Sequence, residues 1–182
     1  MARVTTMGVV PGLRSALCIL IMGVAGSGKT TIGVKLAQSL GWKFRDADDF
    51  HPPENVAKMA AGIPLTDKDR APWLQAIRDY MTQSMALGQS TVVTCSALKE
   101  KYRQTLLGTT GGDSTATVKL VYLKGDFELI NQRISQRQGH FMKPEMLRSQ
   151  FEALERPAGA FEVDVALAPE EIVERIRREF KL

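Results

Sequence analysis

Apolar residues along this chain recur in two alternating patterns. Short continuous runs stand at 17–22 (Leu-Cys-Ile-Leu-Ile-Met), 42–46, 90–95, 118–124 and 163–167, and each predicts a buried strand. Between them lie stretches with helical spacing. The segment from Thr31 runs to Gly41, a suitable C-cap, and 53–61 predicts a short helix. Pro72 is expected to open a longer helix with Leu74, Ile77 and Met81 on its inner face. Lys99–Leu107 predicts a further helix, and Asp126 is a natural cap for the next, with Phe127, Ile130 and Ile134 facing inward. Pro144–Leu154 and Pro169–Phe180 complete the series, the last turning Ile172, Val173, Ile176 and Phe180 toward the core. Strands alternating with helices predict an α/β fold, a parallel sheet covered on both faces.

The turn after the first run carries chemistry. Residues 23–30 read Gly23-Val24-Ala25-Gly26-Ser27-Gly28-Lys29-Thr30, the G-x-x-x-x-G-K-[ST] pattern of a phosphate-binding loop, set between an apolar strand and a helical segment. The glycines let several backbone N–H groups converge on one anion, and the following helix adds its positive end. Lys29 is expected to reach the outer phosphates of a nucleotide, and the Thr30 hydroxyl to face Mg²⁺, with Thr31 completing the loop.

A second cluster, Asp46-Ala47-Asp48-Asp49-Phe50-His51-Pro52, follows the second strand, at the sheet end where open α/β folds bind ligands. The D-x-D spacing places Asp46 and Asp48 on one side of an extended chain. There they hold a hydrated Mg²⁺ or take a hydroxyl proton, or else merely form an acidic turn that caps a helix. His51 either meets a substrate hydroxyl or braces the turn before Pro52. Further on, Asp67 or Asp69 is expected to cap the helix beginning at Pro72, and Arg70 has the planar fork that grips a carboxylate. Arg133 and Arg137 are four apart on an expected helix 126–138, followed by Gly139-His140 and a short amphipathic helix with Leu147, Phe151 and Leu154. This arrangement fits either a lid carrying cations over a transferring phosphoryl group or a solvated helix face.

The chain has 182 residues, 44% of them apolar and 24% charged, as expected of one globular domain with a sizeable core. No run of 18 apolar residues predicts a membrane span. The formal charge of +4 comes from cations interspersed with acids, which argues against a nucleic-acid surface. The two cysteines, Cys18 and Cys95, fall inside predicted strands and read as small buried hydrophobes without disulfide or metal spacing. Residues 1–16 hold Arg3 and Arg14, no acid and no clear cleavage pattern, which favours a flexible N-terminal extension over a targeting peptide. Residues 17–182 are then one domain with a lid at about 137–157.

Together these segments closely resemble the gluconokinase family, in the shikimate-kinase-like branch of the phosphate-loop small-molecule kinases. The resemblance is carried by Met22-Gly-Val-Ala-Gly-Ser-Gly-Lys-Thr30, Asp46-Ala-Asp-Asp-Phe-His-Pro52 and Asn55-Val-Ala-Lys-Met-Ala-Ala-Gly-Ile-Pro-Leu65. It continues through Asp69-Arg-Ala-Pro-Trp-Leu74, Cys95-Ser-Ala-Leu-Lys99 with Tyr102-Arg103, Tyr122-Leu-Lys-Gly-Asp126 and Gly139-His-Phe-Met142. It implies a three-layer α/β/α fold, a five-stranded parallel sheet of order 2-3-1-4-5, and a cytoplasmic homodimer that transfers phosphate from ATP, with Mg²⁺, to D-gluconate. By position it implies Asp48 and Arg70 at the acceptor, with His51, Lys58 and His140 beside them, and Arg133 and Arg137 at the nucleotide. The strand ending at Cys95-Ser96 lacks a terminal acid, so the resemblance leaves Asp46, through water, as the metal's carboxylate. The competing expectations are a shikimate or nucleotide kinase and a non-catalytic nucleotide switch.

Overall fold

The computed structural model describes residues 16–108, 117–136 and 144–182. Five parallel strands, β1 (Leu17–Met22), β2 (Lys43–Asp46), β3 (Thr91–Thr94), β4 (Thr117–Lys124) and β5 (Phe161–Asp164), lie in the order β2-β3-β1-β4-β5. Seven helices among the described residues cover them: α1 (Lys29–Leu40), α2 (Pro53–Ala60), α3 (Asp67–Ala86), α4 (Glu100–Leu107), α5 (Phe127–Ser135), α6 (Pro144–Ala153) and α7 (Pro169–Phe180).

The period of two along β1 divides the core. Ile19 and Ile21 face a layer that includes Leu36 of α1, Ile130 of α5, Leu147 of α6 and Ile176 of α7. Cys18, Leu20 and Met22 face the opposite layer, with Trp73, Leu74, Ile77 and Met81 of α3 and Tyr102 and Leu106 of α4. Both faces of the sheet are therefore dry, which is why its strands read as continuous apolar runs rather than alternating ones. Cys18 and Cys95 are buried free thiols, and burial pushes each pKa up to about 12. At neutral pH neither is a thiolate nucleophile.

Among the strand ends and helix starts, two differ from the sequence expectation by more than two residues. The long helix α3 begins at Asp67, five residues before Pro72. Thr66 and Asp69 form a reciprocal capping box, with the Thr66 hydroxyl accepting from the Asp69 N–H and the Asp69 carboxylate accepting from the Thr66 N–H. Pro72 lies just past the first turn, where its missing N–H forfeits one hydrogen bond that the box offsets. The last strand spans Phe161–Asp164 rather than 163–167. Val165 still donates to the Lys124 carbonyl at 2.8 Å, but the Asp164 carboxylate then accepts from the Ala166 N–H and turns the chain out of the sheet.

Candidate functional site

The phosphate loop leaves β1 at Met22 and enters α1 at Lys29. Gly28 is the N-cap of α1, with φ +93°, and no side chain caps the helix. No acid stands in its first turn either. The N–H groups that open α1 therefore point at the cleft without a protein acceptor from a capping side chain, the arrangement that suits a phosphate. Gly26, with φ +78°, is held against α5: a Cβ there would lie 2.5 Å from Ile134 Cγ1. Both its backbone and its lack of a side chain are required. Lys29 Nζ donates to the Val24 carbonyl at 3.0 Å, curling over the loop. Thr30 Oγ1 donates to Asp46 Oδ2 at 3.0 Å, bringing the end of β2 to the start of α1. Thr31 is exposed in the first turn of α1.

The acid cluster is folded differently from the extended chain expected. Asp46 ends β2, and residues Ala47–Phe50 form a 3-10 turn whose cap is Asp46 itself, its Oδ1 accepting from the Asp48 N–H at 3.2 Å. The tight turn, rather than strand alternation, brings both carboxylates to the cleft. The Asp48 side chain stands open, 87% exposed. Its pKa is raised from the ordinary carboxylate value, first because the cleft walls around it exclude part of the surrounding water and then by the negative Asp46. His51 and Lys29 oppose that rise.

His51 is the most constrained member. Its ring stacks on Trp73 at 4.4 Å and 7°, and the Trp73 indole N–H is held by the Ala47 carbonyl at 2.7 Å. Buried Asn55 donates through Nδ2 to the Asp69 carbonyl at 2.9 Å and lies 3.4 Å from His51 Nδ1. That contact makes Nδ1 the acceptor and puts the ring proton on Nε2, 3.9 Å from Asp48 Oδ1. Burial lowers the His51 pKa, with Arg70 adding to the effect and Asp48 opposing it, so the ring is neutral at pH 7.

Most cations around this cleft have an acid. Lys58 Nζ donates to Asp69 Oδ1 at 2.6 Å, which ties α2 to the α3 cap. Lys101 donates to Asp67 at 2.5 Å, and Lys99 lies 3.7 Å from the same carboxylate, which also accepts from the Tyr102 hydroxyl. Arg103 is buried, donating to the Ala97 and Leu98 carbonyls at 2.9 Å and to Glu100. It thereby secures the loop after β3, where Ala97 takes a left-handed φ of +45°. Arg70 differs: Nη1 donates to the Leu65 carbonyl at 2.5 Å and the guanidinium lies 5.8 Å from the Tyr102 ring, with no ion pair among the described residues.

Arg133 is half-buried near the end of α5, the helix that supports Gly26. α5 ends at Ser135 with Gln136 as its C-cap, short of the expected 138, and Arg137, Gly139 and His140 lie outside the described residues. Of the expected lid, α6 seats Leu147 in the core at 1% exposure, with Phe151 and Leu154 packed beside it. Sequence reasoning passed over Gln150 on this helix, whose Oε1 accepts from the Ala25 N–H of the phosphate loop at 2.7 Å. A single amide at i+3 from Leu147, inside an apolar stripe, was the available signal. Asn55 and Asp67 were also passed over as contributors to the cleft.

A phosphate loop facing an acid and an imidazole across the carboxyl ends of a 2-3-1-4-5 sheet defines a phosphate-loop kinase. The family model for shikimate kinase matches residues 25–180. "Probable gluconokinase" of Mus musculus is 49% identical over 155 residues, covering 77% of this chain and 83% of that protein, and the gluconokinase of Gluconobacter oxydans (strain 621H) is 39% identical over 166 residues, covering 90% of each. The crystal structure of a gluconokinase from Sinorhizobium meliloti 1021 superposes with a TM-score of 0.76 at 38% identity, covering 92% of this chain and 97% of that one. The chain belongs to the gluconokinase family, within the shikimate-kinase type of phosphate-loop kinases.

Proposed function

We propose that this enzyme transfers the γ-phosphoryl group of ATP to the primary hydroxyl of D-gluconate, giving 6-phospho-D-gluconate and ADP. The observation that carries the acceptor assignment is the state of Arg70. Lys58, Lys99, Lys101 and Arg103 are each drawn to an acid, while Arg70, which acts electrostatically on His51, is left with the Leu65 carbonyl and the ring and hydroxyl of Tyr102. A planar cation without a carboxylate, beside an imidazole that faces Asp48, suits a substrate that is both an acid and an alcohol.

In this reading the phosphate loop, Lys29 and the open end of α1 hold the triphosphate, with Arg133 and Arg137 on the nucleotide side. Arg70 receives the carboxylate, and His51 Nε2–H faces Asp48 and the acceptor hydroxyls. The acceptor oxygen attacks the γ-phosphorus, and the bond from that phosphorus to the β–γ bridging oxygen breaks. ADP leaves with the bridging oxygen, and the hydroxyl proton passes to Asp48. The oxygens of Thr30 and Asp46, 3.0 Å apart, fit the hard-ligand preference of Mg²⁺. Among the described residues no group of three or more His, Cys, Asp or Glu could hold an ion by itself, which suits a metal carried largely by phosphate and water. When bound, Mg²⁺ supplies charge neutralisation on the phosphates. Lys58, paired with Asp69, supports the acceptor wall through α2, and His140 is proposed to line it.

No described helix is long and apolar enough to cross a membrane. We propose a cytoplasmic homodimer, as the resemblance implies, with residues 137–157 acting as a lid whose returning helix α6 is its anchor.

Arg70→Ala tests the assignment. The KM for gluconate should rise about 30-fold or more, since removing one partner of a desolvated charge pair costs about 2 kcal/mol or more. The KM for ATP should stay within about twofold by the same argument, because Arg70 touches no part of the phosphate loop. Equal losses for gluconate and for a neutral hexitol would remove Arg70 from the carboxylate.

Gln150→Ala tests the anchor. It leaves the Ala25 N–H without its 2.7 Å acceptor and should loosen the loop. Losing a hydrogen bond of about 1 kcal/mol corresponds to a roughly fivefold rise in the KM for ATP, with the KM for gluconate unchanged. Steady-state kinetics with each substrate varied in turn would decide, and an unchanged KM for ATP would make the contact incidental.

A further inference from the structure

Three cations surround one ring. The Arg70 guanidinium, Lys99 Nζ and Lys101 Nζ lie 5.8, 5.7 and 5.9 Å from the centre of Tyr102, and the Tyr102 hydroxyl donates to Asp67. Asp67 is the first residue of α3, and it receives Lys101 at 2.5 Å and Lys99 at 3.7 Å. Its carboxyl is held well down, to about 2, first by the Lys101 and Tyr102 hydrogen bonds, so it is fully charged at neutral pH. This acid is not needed to cap its helix, because Thr66 and Asp69 already do so. Arg70, three residues further on, has no acid of its own among the described residues.

We infer that Asp67 sets the charge of acceptor this enzyme binds: by occupying Lys99 and Lys101 it holds down the positive field beside Arg70, so that the site matches a monocarboxylate and not a dicarboxylate. The inference rests on the reading of Arg70 as the acceptor's carboxylate contact. The lysines are drawn away from the substrate, and Asp67 itself opposes any second negative charge. Asp67 is therefore a specificity-determining residue that need not touch the substrate.

The test uses three six-carbon ligands of charge zero, minus one and minus two: D-sorbitol, D-gluconate and D-glucarate. Glucarate carries a second carboxylate in place of the primary hydroxyl and binds without turnover. Dissociation constants are measured on the whole enzyme at low ionic strength. Asp67→Asn removes one negative charge, and Coulomb attraction across a hydrated cleft makes that worth about fivefold per ligand charge. Sorbitol affinity should stay unchanged, gluconate should bind about fivefold tighter and glucarate about 25-fold tighter, on the same Coulomb basis. The gains should shrink at high salt. Lys101→Met should move the series the other way, so the inference stays testable if Asp67→Asn fails to fold. A change equal across all three ligands, or none, overturns the inference. The underlying reading fails separately: the wild-type enzyme would then bind sorbitol and gluconate alike, and Arg70→Ala would leave both unchanged.

Discussion

Lys29→Ala should leave a folded protein whose turnover is lower by about 10²- to 10³-fold, the scale of losing a charge-stabilising donor in a dry site. Lys29 lies at the start of α1 with its ammonium 3.0 Å from the Val24 carbonyl, so it bridges the two ends of the loop. The transferred phosphoryl group spreads charge over its equatorial oxygens, and a cation fixed at that point stabilises the transition state more than the bound nucleotide. The loss should therefore appear in kcat as well as in the KM for ATP. Folding should survive, because the core beneath the loop is made by the apolar side chains of Val24, Ile32, Leu36, Ile130 and Ile134, and the ammonium meets Val24 at its carbonyl rather than in that core. A melting temperature within a few degrees of wild type, together with the kinetic loss, is the expected pair. A folded variant with an undiminished rate would remove the phosphate-loop assignment.

The sequence made the scaffold readable because the sheet is buried on both faces. A run such as Leu17–Met22 has no polar position to blur it, and its continuation into a glycine turn and a helix explains the loop. The inner faces of α3, α5 and α7 were legible for the same reason, since Ile77, Ile130 and Ile176 all reach zero exposure. What was misplaced had a local cause. Pro72 drew the start of α3 to itself because proline favours a first turn, whereas the Thr66 and Asp69 pair outweighs it. Val165 and Leu167 extended the apolar alternation past β5, and the Asp164 turn ends the strand.

The cleft was only half legible. Asp46, Asp48, His51 and Arg70 stood out as residue types, and the structure brings Asp46 to Thr30 and places His51 between Asp48 and Asn55. Their division of labour was not readable, because it depends on which cation each acid takes. Asp69 takes Lys58 and Asp67 takes Lys101, over separations of 11 and 34 residues. Pairing across α2, α3 and α4 is a product of packing, and no spacing rule along the chain encodes it. Gln150 is the same case at longer range, 125 residues from Ala25.

Asp48→Asn should cost about 10²- to 10⁴-fold in kcat, the usual span for a positioned proton acceptor. The substitution keeps the shape of the side chain and removes its ability to take the hydroxyl proton. Binding of ATP should be nearly unchanged, since the Thr30 to Asp46 contact does not involve the Asp48 side chain, and the Asp48 charge opposes rather than aids a bound triphosphate. Stability should also hold. The turn is fixed through backbone atoms, with the Asp48 N–H donating to Asp46 and the Asp48 carbonyl accepting from the His51 N–H at 3.4 Å, and the carboxylate itself is 87% exposed. The raised pKa of Asp48 gives the reaction an acid limb. Kinetic loss should set in as pH falls through that pKa, at a higher pH than for an ordinary aspartate, because the protonated form cannot accept the proton. In Asp48→Asn that limb should vanish along with most of the rate. Phosphoryl transfer has a loose transition state, so part of the loss reflects positioning of the hydroxyl as well as its deprotonation. A pH profile of kcat/KM for both proteins, with ATP affinity measured alongside, separates the outcomes. Near wild-type turnover in Asp48→Asn would make this acid structural and pass the proton to Asp46 or to water.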